Sequence, residues 1–212
     1  DAARRAATLR LRFRTARLAG ENLEALVTVR QLLKHKAFRG ATGHTISQAL
    51  ACEVLRAPRD AQQLERAWAQ LESQEREAPA VALLGARRLL DLGGEVARSR
   101  EWLLPIWNSF LQPATPLGAD QQVQLVQTLE AGFALSEAAP DGLWLARIEN
   151  AQMANPRNAL LQYLAAAMCL RMALWGKAEH FFKQAAAGLH DASLQREANA
   201  RLQSIREQRA RR

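Results

Sequence analysis

Apolar positions along the chain recur at intervals of three and four residues, which is the period of one face of an α-helix. Leu9, Phe13 and Ala16 form one such stripe, and Val126, Leu129 and Phe133 form another. Runs of alternating β-branched and aromatic residues, the signature of strands, are missing. Punctuation by Gly, Pro and Asp then divides the chain into helices predicted near 2–19, 22–36, 42–57, 60–73, 78–92, 95–111, 119–136, 141–154, 158–173, 175–188 and 193–208. Breaks fall at Gly20, Gly40, Pro58, Pro79, Gly93-Gly94, Pro140 and Pro156, where a helix cannot continue without cost. The longest break, from Gln112 to Gly118 with Pro113 and Pro116, is the one place for an irregular loop.

A helix with one apolar stripe cannot bury it alone, and short connections make neighbours in sequence neighbours in space. Self-similarity at a fixed period separates a solenoid from an ordinary bundle, and the tetratricopeptide period is about 34 residues. Residues 125–158 place Ala131, Gly132 and Leu135 on a first helix and Trp144, Ile148 and Ala151 on a second, then close with Asn155-Pro156. One period later come Ala165, Ala166 and Cys169, then Ala178, Phe182 and Ala185. Small residues let paired helices approach and bulky ones fill the gap between pairs. The first half is more degenerate: Gly20 to Ala25, Val29 and Leu32 fit a second helix, as do Leu64, Trp68 and Leu71, with wider spacing between them.

These patterns predict an all-α fold, a tetratricopeptide-like right-handed solenoid of about five antiparallel helix pairs and a capping helix. One repeat domain is expected over 1–208, with degenerate repeats in 1–112, clearer ones in 119–192, a cap at 193–208 and a basic tail at 209–212. Within the cap, Leu194, Ala198, Leu202 and Ile205 make one stripe and Glu197 precedes Arg201 by one turn.

Composition adds a charge of +8, most of it from Arg. Such a balance suits an anionic partner, and it equally suits solvated helix faces, because Arg is a good helix former. Cys52 and Cys169 are far apart, each in an apolar helical stretch, which predicts buried free thiols and no disulfide framework. No apolar run reaches bilayer-spanning length, so this stretch is expected to be soluble, and its start at Asp1 without Met leads us to expect part of a longer chain.

No arrangement of residues announces chemistry. His35, His44, His180 and His190 form no ligand cluster with either cysteine at zinc-like spacing, so no metal site is predicted. Gly93-Gly94 sits at a helix end, where a turn explains it. Glu75 and Glu77 lie in the polar stretch 72–77 at a helix end, a position expected to be solvated and to leave a carboxyl pKa untuned. No nucleophile, base and orienting group stand in recognisable order, so the expectation is a protein that is not an enzyme. Nucleic acid is not an expected partner.

What remains is surface. With Leu9, Phe13 and Ala16 packed inward, Arg10, Arg14 and Arg17 turn to the opposite, groove-facing side, where guanidinium groups clamp acidic side chains or a terminal carboxylate. Tyr163, Ala167 and Leu170, ending in Arg171, are the corresponding groove positions of the clearer repeat. Arg10, Arg14, Arg17, Tyr163, Leu170 and Arg171 are therefore the predicted partner-binding residues.

The Gly-Glu-Asn-Leu-Glu-Ala start at 20–25, the segment from Asp60-Ala61 to Leu71 with Trp68, Leu-Asp-Leu-Gly at 90–93 and Leu174-Trp175-Gly176-Lys177-Ala178 together resemble the C-terminal repeat part of the proteobacterial HemY proteins. The resemblance implies a tetratricopeptide protein held in the inner membrane by an N-terminal anchor absent from this sequence, its repeats on the cytoplasmic side. It implies a scaffold coordinating the enzymes of late haem biosynthesis, with other proteins as partners and no catalytic residues. The alternative is a tetrapyrrole carrier, in which a groove around Tyr163 and Leu170 holds haem and a nearby His or Cys ligates it. No other cofactor is expected.

Overall fold

The computed structural model describes residues 2–35, 40–112, 114, 117–135 and 142–210. The expected breaks at Pro113, Pro116 and Pro140, and the tail residues Arg211 and Arg212, lie outside them. The described residues form twelve α-helices and no strand: α1 (Ala2–Ala19), α2 (Asn22–Lys34), α3 (Gly40–Arg56), α4 (Ala61–Ala69), α5 (Ser73–Arg76), α6 (Pro79–Asp91), α7 (Val96–Phe110), α8 (Ala119–Leu135), α9 (Gly142–Ala154), α10 (Ala159–Arg171), α11 (Trp175–Gly188) and α12 (Ala192–Ala210).

Local chemistry starts and stops these helices at the marked positions. Asp60, Asn158 and Asp191 each accept a hydrogen bond from a backbone N–H in the first turn of α4, α10 and α12, satisfying donors that a helix start leaves without partners. Pro79 opens α6 as its first residue, where its missing N–H costs nothing. Three helices end alike. Gly20, Gly93 and Ala173 take positive φ of 73°, 72° and 57°, and the next residue donates back to Ala16, Leu89 or Cys169, the paired closure that favours glycine.

The chain folds as two compact units, Asp1–Ile106 and Trp107–Arg212. In the first, α1 packs on α2, α2 on α3, and α3 on α4, α5 and α6. Helix α6 buries Val81, Ala82, Leu83, Gly85, Ala86, Leu89 and Leu90. Trp68 of α4 stacks on Trp102 of α7 at 4.1 Å and 10°, and the Trp68 ring presses against Gly85, where a Cβ would stand 2.9 Å from it.

In the second unit α10 packs against α8, α9 and α11, and α11 packs on α12. Residues 161–168 are buried on every side of α10, which makes it the central helix of the unit. Trp107 meets Trp144 edge-on at 5.6 Å, and Phe182 does the same to Tyr163 at 5.6 Å. The C-terminal helix runs further than expected: Arg209 is helical and pairs with Glu179 of α11 at 2.6 Å. This corrects the expected basic tail for Arg209, because the Glu179 carboxylate gives the last turn a partner.

Candidate functional site

Each predicted partner residue has a definite place. Arg10, Arg14 and Arg17 are all exposed along α1, while Leu9 and Phe13 are half-buried and Ala16 is buried toward α2. Leu11 and Leu18 are exposed on the same helix.

Tyr163 departs from expectation. It is 0% exposed, Ala167 beside it is buried, and neither lines a surface groove. The cause is the packing of α10, which is enclosed on all sides. Leu170, the last residue but one of α10, is half-buried, and Arg171 is exposed.

The Tyr163 hydroxyl donates to Glu130 Oε2 of α8 at 2.8 Å. Arg201 of α12 brings Nη2 to 2.6 Å from Glu130 Oε1, a close ion pair that lacks hydrogen-bond alignment, and also donates to Glu197 at 2.9 Å. Burial pushes the Glu130 carboxyl above its ordinary value despite Arg201 and Tyr163, and Glu197 adds to the rise. For Arg201, burial lowers the pKa, but Glu130 and Glu197 outweigh it and the net shift is upward. The two partners respond differently because Arg201 keeps 30% of its side chain in solvent and Glu130 only 15%. Burial and the Glu130 charge likewise push the Tyr163 phenol far up. The cluster joins α8, α10 and α12 as a structural tie.

Glu75 is the second correction. It is not solvated but 5% exposed, and it sits on α5, too short a helix for its period to be visible. Arg30 of α2 grips it with two bonds, Nε to Oε1 at 2.9 Å and Nη2 to Oε2 at 2.6 Å. The Ser47 hydroxyl of α3 and the Glu72 backbone N–H donate to it as well, each at 2.9 Å. Burial pushes the Glu75 carboxyl up, but the Arg30, Glu72 and Ser47 bonds and the Arg30 charge together hold it below its ordinary value. This is the geometry of a folding staple.

The surface feature that sequence reasoning missed lies in the second unit. A cavity of about 480 Å³ opens between α9 and α11, with α10 as its floor. The floor is Ala165, Met168 and Cys169, and the rim includes Met153, Met172, Leu174 and Phe181. Met153 is 67% exposed, and Met172 and Leu174 are 40% exposed. All three methionines of the chain line this one groove; their confinement to residues 153–172 was the available sequence signal. Glu149 and Lys177 stand on its α9 and α11 walls with no ion-pair or hydrogen-bond partner among the described residues.

Cys169 and His180 also face the groove. Burial pushes the Cys169 thiol up, Lys177 pulls it down, and Glu149 raises it, so the net direction disfavours a reactive thiolate. His180 Nε2 lies 3.0 Å from the Gln184 amide. Cys52 and Cys169 are both free. Among the described residues no group of three or more His, Cys, Asp or Glu is placed to hold a metal ion, and no helix is long and apolar enough to cross a membrane.

No protein-family model, no curated protein and no solved structure matches the chain.

Proposed function

We propose that this chain is a non-enzymatic scaffold for protein–protein association, built as a tetratricopeptide-like array of antiparallel helix pairs. The observation that carries the reading is the packing order of the second unit. Helix α10 touches α8, α9 and α11, and α12 follows on α11, while Glu130, Tyr163 and Glu197 succeed one another at 33 and 34 residues on α8, α10 and α12. Repeats of that spacing bury their cores against neighbours and leave an extended surface that packing does not constrain, which suits binding.

The narrower form of the proposal rests on the resemblance to HemY proteins alone. In it the partners are enzymes of late haem biosynthesis, held at the cytoplasmic face of the inner membrane. Affinity capture of the intact protein from gently solubilised membranes, with quantitative mass spectrometry, tests both forms. Recovery of stoichiometric partners without haem-pathway enzymes refutes the narrower form, and recovery of no stoichiometric partner refutes the scaffold.

A further inference from the structure

Building on the scaffold reading, we propose that the methionine-lined groove between α9 and α11 is the partner-docking surface, and that its occupant is one amphipathic α-helix of another protein. That helix presents apolar residues at i, i+4 and i+7, a basic residue along one edge toward Glu149 and an acidic residue along the other toward Lys177.

The length of the groove comes first. Helix α9 contributes Leu145, Glu149, Gln152 and Met153 to its wall, a span of two turns, about 12 Å at the helical rise. Two turns accommodate the three anchors of a guest helix laid in a groove. The floor is closed, since Ala165 and Met168 are buried, whereas on the rim Met153 stands largely in solvent and Met172 and Leu174 are partly exposed. A pocket for a small molecule wraps most of its ligand's surface; an apolar trough with an exposed rim instead leaves a guest's outer face free. Methionine suits that rim, because its unbranched thioether adapts to differently shaped apolar partners.

Charge sets the orientation. Glu149 and Lys177 lie on opposite walls and are both without partners among the described residues. A helix with complementary edges pairs both, and a helix running in the same direction along the groove with its edges exchanged meets two like charges. Gly176, on the α11 wall, has no atom within 4 Å of the place a Cβ would occupy. A side chain added at this lining position therefore extends into open space at the groove wall and does not meet the core.

The test uses the full chain and a fluorescein-labelled 18-residue model helix with a Leu/Met face, a Lys edge and a Glu edge, together with a peptide of equal composition whose edges are exchanged. Anisotropy is expected to show saturable binding of the first peptide in preference to the second. Gly176→Leu, and separately Met153→Gln with Met172→Gln, are expected to weaken it about tenfold or more while leaving the thermal melt unchanged. Combined Glu149→Lys and Lys177→Glu is expected to invert the preference between the peptides. Unchanged affinity in the folded Gly176→Leu protein, or an unchanged preference after the charge exchange, overturns the assignment. A saturable haem Soret shift that competes with the peptide and is lost in Cys169→Ser or His180→Ala also overturns it, giving the groove to a tetrapyrrole. In affinity capture, partners held by the wild type and lost by Gly176→Leu support the groove. Partners held equally by both overturn the groove and leave the scaffold standing, whereas a wild-type bait that captures none removes the scaffold itself.

Discussion

Replacing Glu75 by Gln tests how the first unit is held together. The two Glu75 oxygens accept four bonds: Oε1 from Arg30 Nε and Ser47, Oε2 from Arg30 Nη2 and the Glu72 N–H. Glutamine has one oxygen, so either amide orientation turns an NH2 toward two donors and loses two of the four bonds. The Arg30 side chain, 15% exposed, is left without its main counter-charge. Removing one partner of a buried ion pair costs about 3–5 kcal/mol, and the residual exposure of Arg30 argues for the lower end, about 3 kcal/mol. In a unit of this size that lowers Tm by roughly 12–24 °C.

Urea melts followed by circular dichroism, with hydrogen exchange read on peptides from α2, α3 and α5, measure the loss where it should occur. The double variant Arg30→Met, Glu75→Leu is expected to recover most of it, because an apolar pair carries no desolvation cost. A Glu75→Gln protein within about 1 kcal/mol of wild type, below the penalty for leaving buried donors unmatched, would refute the staple.

Three further substitutions probe packing and polarity. Gly85→Ala puts a Cβ 2.9 Å from a Trp68 ring already stacked on Trp102; overpacking of about 1–3 kcal/mol exceeds the helix-propensity gain of about 1 kcal/mol. The melt should fall and the near-ultraviolet tryptophan signal change, and a stabilised variant contradicts the packing argument. Ala173→Gly relieves a positive φ of 57° and is expected to stabilise by up to about 1 kcal/mol in a urea melt; destabilisation would mean that the turn after α10 carries no strain. Glu130→Gln keeps an oxygen for the Tyr163 hydroxyl and removes a desolvated charge, so its cost at neutral pH should stay within about 1 kcal/mol, and a loss of about 3 kcal/mol would show that the Arg201 pair outweighs burial.

The sequence made most helix bounds legible because stripes and stops act locally: 2–19 matches Ala2–Ala19, 175–188 matches Trp175–Gly188, and Pro79 and Asn158 stand at the starts of α6 and α10. Helix α5 escaped notice because four residues hold no period. A one-stripe repeat register leaves Tyr163 on the groove side of α10, whereas the uncharged run from Ala159 to Leu170 carries the pattern of a helix enclosed on all sides. The turn at Ala173 takes a conformation that glycine marks elsewhere, and alanine gives no such signal. The partners of Glu75 lie 45 and 28 residues away, and Arg201 of α12 reaches Glu130 of α8 across the three helices between them in the chain. No local pattern encodes those pairings. The groove was hidden for the same reason, since its walls become neighbours only when α9 and α11 both pack on α10.

Glu75 and Glu130 show why a buried carboxylate cannot be read from its residue type, and their difference yields a pH signature for each unit. Four donors, two of them cationic, hold Glu75 below its ordinary value of 4.5. Its stabilisation is therefore complete above that pH and is lost as pH falls through the depressed folded value. Burial raises Glu130 above 4.5, so its contribution is present below the unfolded value and is lost as pH rises through the raised folded one. Acidification from neutrality toward 4.5 should thus strengthen the α8–α10–α12 tie while the α2–α3–α5 staple holds, and further acidification should release the staple. Hydrogen exchange, corrected for intrinsic rate and followed on peptides from each unit, should show protection rising first around Tyr163 and then falling first around Ser47. Glu130→Gln should abolish the first change alone and Glu75→Gln the second. If both units lose protection together from neutrality downward, the opposite environments assigned to the two carboxylates are wrong.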